Sequence, residues 1–357
     1  MEPAEDSSAS EANVVSFAGI QAAAARIAPH VHLTPVMTNK YLNEASGREV
    51  FFKCELFQKT GSFKARGACN AVLLTPPASR VVVTHSSGNH AQALAWAARV
   101  KDVNAHIVMP DNSMAVKVAA VRGYGAHVTF CENTKTARES TAATVVSEHP
   151  KSTLIHPYND HRVQCGQGTV GLELVQQVKD LTGGANLDAV IVPVGGGGLI
   201  SGVATAVKAL CPGIRVIGAE PQKAADAFRS KEIGSLQGHD CEGMPDTIAD
   251  GLRTTLGSTT WPVVRDSVDE IVTVSEEDIR LWMRVVYERM KLVIEPSAAV
   301  GVAALMSPRV RGMPRDLTRV GVVLCGGNVD VALLQELLTG GGMAPPTENP
   351  AADAHPC

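Results

Sequence analysis

Aromatic residues are scarce in this 357-residue chain: 7 Phe, 4 Tyr and 3 Trp, or 4%. Its core must therefore come from Val, Ile, Leu and Ala, which the 45% hydrophobic content supplies. Charge of one sign is also lacking. Lys and Arg number 32 against 36 Asp and Glu, a net −4, so the basic face of a general nucleic-acid binder is missing. No apolar run approaches the roughly 18 residues of a membrane span. The opening MEPAEDSSASEANVV is acidic and polar, unlike a secretory signal or transit peptide. The eight cysteines form no C-x-x-C pair, which suits reduced thiols in a cytoplasmic protein better than a disulfide framework. Zincin, zinc-ribbon, P-loop and nucleophile-elbow patterns are absent.

What is present is alternation. Short apolar runs at 81–84, 105–109, 127–130, 154–156, 189–194, 215–220, 270–274 and 320–325 read as strands. Ala-rich stretches at 16–28, 90–100, 114–122, 136–148, 168–179, 202–210 and 276–290 read as helices. This order predicts an α/β fold with two parallel-sheet domains, helices on both faces. Three strand–helix units at 85–155 suggest a small domain, and 14–84 with 156–340 a large one. Residues 1–13 and 341–357 read as disordered tails from their composition. Glycine clusters follow several strands, where α/β folds place ligands.

The strongest local signal is VIVPVGGGGLISGVATAVKAL at 190–210, a strand, four glycines and a helix. Such a turn lets backbone N–H groups converge on an anion at a helix N-terminus. It is not the dinucleotide fingerprint, because Ile200 and Ser201 stand where the third glycine belongs. In FFKCELFQKTGSFKARGACNA at 51–71, Lys64 lies between Gly61 and Gly67. It is either a surface cation or a buried amine able to attack an aldehyde. In VVVTHSSGNHAQALAWAA at 81–98, the polar run 86–90 exceeds what helix capping needs and suits a carboxylate site. Cys325 tips a strand ending in VVLCGGNVD, where a buried structural thiol is the plainer account. Glu220 and Asp226 in VIGAEPQKAADAF either hold a hard cation or are simply solvated.

Together and in this order, these segments, with GQGT, TIADG and RMKLVIEP, resemble the fold-type II pyridoxal-phosphate enzymes. Within that group the chain is similar to the serine racemase and serine/threonine dehydratase family over roughly residues 15–335. The resemblance implies a cofactor in the interdomain cleft. It implies that Lys64 bonds the cofactor aldehyde, with Phe63 beside it. Asn89 would meet the cofactor's phenolic oxygen, and Gly195, Gly196, Gly197, Gly198 and Leu199 its phosphate, with Cys325 facing the ring nitrogen. Ser86, Ser87, Asn89, His90 and Arg138 would surround the substrate carboxylate. Glu220, the Ala224 carbonyl and Asp226 match a metal site for Mg2+, Ca2+ or Mn2+. Lys59, Thr60, Gln92, Tyr124, Lys291 and Asn328 match an allosteric ATP site at a homodimer interface.

The implied activity is racemisation of serine, with Lys64 and Ser87 as acid/bases on opposite faces. Loss of the β-hydroxyl would add serine and threonine ammonia-lyase activity. The partners expected are small amino acids, with no nucleic acid or membrane, in the cytoplasm. Three departures bear on this. Cys325 stands where serine racemases usually carry Ser, which suggests a dedicated dehydratase, whereas Ser87 opposes that, since dehydratases typically carry Ala there. The segment PYNDHRVQC brings in Arg162, which with Arg138 raises an aspartate or hydroxyaspartate enzyme as an alternative. Asp160, His161 and Arg162 are expected in a solvated loop outside the pocket. The C-terminus lacks a hydrophobic tail. A non-catalytic metabolite-binding regulator is the reading from another class.

Overall fold

The computed structural model describes residues 14–339, apart from 242 and 315. The expected tails at 1–13 and 341–357 lie outside the described residues, with Gly340. Two sheets organise the chain. The larger has six strands: β1 Val36–Met37, β2 Glu49–Cys54, β7 Ala189–Pro193, β8 Arg215–Pro221, β9 Glu270–Val274 and β10 Arg319–Leu324. Their order is β1-β2-β10-β7-β8-β9, all parallel except β1. The smaller comprises β3 Val81–His85, β4 Asn104–Pro110, β5 His127–Cys131 and β6 Ser152–Leu154. It runs β5-β4-β3-β6, all parallel. Val, Ile, Leu and Ala fill the main core, as the scarcity of aromatics requires.

One domain boundary is corrected. The expected division at 84/85 cuts through β3, which hydrogen-bonds to both β4 and β6 at the centre of the small sheet. Strand β2 was not expected at all. Its FFKC run carries a lysine foreign to an apolar core, yet Lys53 is fully buried. Its Nζ donates to Glu173 at 2.6 Å, Gln177 at 2.8 Å and the Thr34 carbonyl at 2.8 Å. A buried charge stands only when paired and hydrogen-bonded.

Three helices meet beneath the cleft: α3 Lys64–Leu73, α7 His161–Thr182 and α8 Gly198–Leu210. Helix α7 passes between the other two on small residues. A Cβ on Gly166 would lie 2.6 Å from the Arg66 carbonyl oxygen, and one on Gly202 would lie 2.4 Å from the Gly168 nitrogen. Only backbone fits at such crossings. Arg66 then locks α3 in place. Its guanidinium donates to Glu55 at 2.7 and 2.8 Å and to Glu173 at 2.6 and 2.7 Å. Lys64, two residues earlier, inherits that fixed position.

Candidate active site

A cavity of about 830 Å3 separates the two sheets. The carboxyl ends of β7 and β10 point into it from the large half, that of β3 from the small half. Lys64, Ser86, Ser87, Asn89, His90, Arg138, Gly195 to Leu199 and Cys325 all line it, so the structure brings together the residues expected to bind cofactor and substrate.

Lys64 is the first residue of α3. The Phe63 N–H donates to the Cys325 carbonyl at 3.0 Å, and Ser62 bridges Gly326, so this turn is tied to the end of β10. The Lys64 Nζ donates to the Pro157 carbonyl at 2.9 Å. Burial pushes the amine down to about 8, against the opposing pull of Cys325 and Glu295. An amine so poised supplies its neutral, nucleophilic form far more readily than a surface lysine. Burial also drives the Cys325 thiol well above its usual range, so it stays neutral.

The four-glycine turn is closed by its neighbours. Gly197 adopts φ +83°, a left-handed conformation that favours glycine. A Cβ on Gly196 would sit 2.3 Å from the Tyr158 ring, so a side chain there has no room. The Thr260 hydroxyl donates to the Gly196 carbonyl at 2.8 Å. Helix α8 starts without a side-chain cap, which leaves backbone N–H groups and the positive end of its dipole to an anion.

From the small half, helix α4 Asn89–Lys101 also starts without a side-chain cap, after the Ser86–Gly88 turn. His90 is buried, its ring within reach of the Ile155 backbone. Burial, then Lys64, hold its pKa well below the ordinary range, so the ring is neutral. Arg138 comes from helix α6 Lys135–Glu148 and keeps a buried, unpartnered Nε. A guanidinium with an open donor suits a carboxylate.

Glu295 was missed by sequence reasoning. It caps helix α12 Pro296–Met306, lines the same cavity and accepts Asn89 Nδ2 at both carboxyl oxygens, 2.9 and 3.0 Å. Asn89 Oδ1 in turn accepts from Asn328 Nδ2 at 2.9 Å. The only signal was a Glu-Pro pair at a helix start, inside a motif otherwise given no role.

Arg162 does not line the cavity. The expected loop is instead the first turn of α7: Asp160 is the N-cap, accepting from the Arg162 N–H at 2.9 Å. The same carboxylate holds the Arg162 guanidinium at 2.6 and 3.0 Å.

The carboxylate pair lies away from the cavity. Glu220 ends β8 and accepts from the N–H groups of Ala227 and Phe228 at 3.1 and 2.9 Å. Asp226 Oδ2 accepts from the Leu256 N–H at 2.8 Å, whereas Oδ1 is buried without a hydrogen-bond partner. Burial raises both, Glu220 well above its usual range and Asp226 to about 7. Among the described residues no three His, Cys, Asp or Glu side chains converge as a metal site. Of the expected effector residues, Lys291 and Asn328 line a second cavity of about 390 Å3 with Gly61. Asn328 Nδ2 also donates to the Thr60 carbonyl at 2.8 Å. Lys59 belongs to the same turn, while Gln92 and Tyr124 do not line that cavity.

Comparison with known proteins agrees with this geometry. The family model described as pyridoxal-phosphate dependent enzyme matches residues 27–326. A serine racemase of Arabidopsis thaliana is 48% identical over 91% of this chain and 97% of its own. One of Dictyostelium discoideum is 46% identical over 91% and 98%. A solved aspartate racemase superposes with a TM-score of 0.84 at 38% identity, covering 90% of this chain and 98% of that one. A solved T.th. threonine deaminase gives 0.82 at 43%, covering 88% and 99%.

Proposed function

Since the chain belongs to the pyridoxal-phosphate dependent enzymes, we propose that it interconverts L- and D-serine and also eliminates water from serine and threonine. The observation that carries this reading is the entry of Lys64, from the helix the two halves share, and Ser87, from the turn after β3, into one cavity. The residues fit the cofactor: an uncapped glycine turn for the phosphate, a lowered lysine amine for the aldehyde, a neutral thiol for the ring nitrogen. When bound, pyridoxal phosphate accepts the electron pair left at the substrate α-carbon.

The chain's own groups choose the outcome. Ser86, Ser87, His90 and Arg138 hold the substrate carboxylate and so fix the α-carbon. Lys64 Nζ removes or returns the α-proton on one face; Ser87 Oγ does so on the other. Racemisation needs both, elimination from L-serine only Lys64. The neutral Cys325 does not force a proton onto a facing nitrogen, which limits competing transamination. Arg162, paired with Asp160 outside the cavity, is removed as a second carboxylate site, and this reading gives Arg138 to the α-carboxylate.

Glu220, Asp226 and the Ala224 carbonyl hold a divalent cation in this reading. The unpartnered Asp226 Oδ1 supports it. His239 Nε2 lies 3.0 Å from the Arg253 carbonyl, so the neutral ring must donate there. Its bare Nδ1 then faces Asp226 Oδ1 at 3.6 Å, two atoms that either a proton on Asp226 or a nearby cation reconciles. Exposed Phe57, Tyr287 and Val293 near the second cavity support a homodimer with a nucleotide site beside it. No described helix is long and apolar enough to cross a membrane, and all seven described cysteines are free, in keeping with a cytoplasmic enzyme.

The test is purified protein with L-serine, measuring D-serine and pyruvate together. Both should form. Pyruvate alone would mean a dehydratase; faster turnover of L-aspartate would overturn the substrate.

A further inference from the structure

We propose that Glu295 is a positioning residue of the cofactor site, and that the Lys117–Asp250 ion pair across the cleft mouth biases its charge. The inference rests on reading Asn89 as a cofactor contact.

Besides the Asn328–Asn89 bond, two contacts cross between the halves here. The inner one joins Asn89, at the start of α4, to Glu295 of the large half. The outer one joins Lys117, on helix α5 Ala115–Gly123 of the small half, to Asp250 of the large half. Glu295 is 3% exposed, whereas the Lys117 and Asp250 side chains are 23% and 42% exposed at the rim. Both pairs line the same cavity.

The two bonds are mechanically linked. Gly251, next to Asp250, donates its N–H to Ser297 Oγ at 3.1 Å, two residues beyond Glu295. A Cβ on Gly326 would lie 2.8 Å from Glu295 Oε1, so the carboxyl is wedged against backbone beside Cys325. They are electrostatically linked as well. Burial and then Asp250 push Glu295 up to about 7, while the Asn89 bond, Lys117 and the Asn328 N–H pull it down. Lys64 and Cys325 also feel its charge.

An ionised Glu295 accepts from Asn89 at both oxygens. Protonated, it keeps one acceptor oxygen and gains a donor, so the paired bond from Asn89 Nδ2 is reduced to a single one or the amide turns over. Turning over also breaks the bond from Asn328 Nδ2 to Asn89 Oδ1. The charge on Glu295 therefore sets how firmly Asn89 is held, and the rim pair biases that charge from both sides.

The experiment is a pH titration of the bound cofactor's absorbance in the holoenzyme. A transition near neutral pH is expected. Lys117→Met, which removes the cation, should move it up. Asp250→Asn, which removes the anion, should move it down. Each shift should be about half a pH unit to one unit and shrink in roughly 1 M salt. Glu295→Gln should abolish the transition and weaken cofactor retention roughly tenfold or more. Shifts in the same direction, no shifts, or a transition that survives Glu295→Gln would overturn the proposal. If Glu295→Gln does not fold, the opposed shifts of the rim variants decide alone. Serine racemisation with no such transition would defeat only this inference and leave the assigned activity standing.

Discussion

The two halves of the molecule are built to different standards. In the six-stranded half, β7 is buried at every position and β10 at all but its first. In the four-stranded half the central β3 and β4 keep buried middles, but the edge strands β5 and β6 have no fully buried residue, and His106, His127 and His149 cluster with ring centroids 4.5 and 4.9 Å apart. The well-buried half supplies the phosphate turn, Glu295 and Cys325, features whose geometry must not vary. The thinner half supplies Ser86, Ser87, His90 and Arg138, the cavity-lining groups proposed above to meet the substrate. Cofactor retention and reaction outcome should therefore separate by half, and each variant below tests that separation.

The largest effect is expected where the halves share a residue. Lys64 stands on α3, which packs against α4 of the small half and α7 beneath the large one. Lys64→Ala should reduce both racemisation and elimination by more than roughly 10³-fold. Because Arg66 holds the helix independently, the melting curve should stay close to wild type. Substantial turnover without added amine would remove Lys64 from its role.

Ser87→Ala confines the damage to the small half. D-Serine formation from L-serine should fall roughly 10²-fold or more, while pyruvate formation from L-serine stays within a few-fold. Elimination from D-serine should fall with racemisation, since its α-proton faces Ser87. Equal losses of both L-serine reactions would show that Ser87 only positions the substrate.

The carboxylate pair tests the large half alone, through stability. Asp226 is raised to about 7, and Glu220 well above its ordinary value. A carboxyl raised on folding stabilises fully below its unfolded pKa, near 4, and that contribution is lost as pH rises through the folded value. Chelated protein should therefore lose thermal stability between about pH 4 and 7. A bound cation favours the ionised pair and should flatten that slope, raising the melting temperature at pH 8. Identical curves with chelator and with Mg2+ would leave the pair as buried acids without a metal.

Much of this arrangement was legible in the sequence, because strands that are apolar throughout, glycine turns and the order of motifs are local signals. What escaped depended on distant partners. Lys53 hid strand β2, since a lysine inside a sheet makes sense only with Glu173 in view. Helix α12 is buried at every residue, so it shows no periodicity to read. Glu295 acquires its role from Asn89, 206 residues away. The 84/85 boundary failed because nothing in VVVTH says which sheet it joins.

The smallest effect is expected at the seam between the halves, at Arg162. A guanidinium could select substrates with a second carboxylate, and a solved aspartate racemase shares this fold. Here one edge of the guanidinium is committed: Nε and Nη2 bind Asp160, and Nη2 also lies 3.4 Å from the Leu154 carbonyl. The side chain lies by the end of β6 and does not line the cavity. Arg162→Ala should change kcat/KM for L-serine by less than roughly tenfold, or about 1.4 kcal/mol of transition-state stabilisation. The Asp160 cap on α7 remains, so the melting temperature should hardly move. Wild-type protein that turns over L-aspartate faster than L-serine, with Arg162→Ala reversing the order, would place Arg162 in the substrate site and make the seam, not the thin half, the seat of specificity.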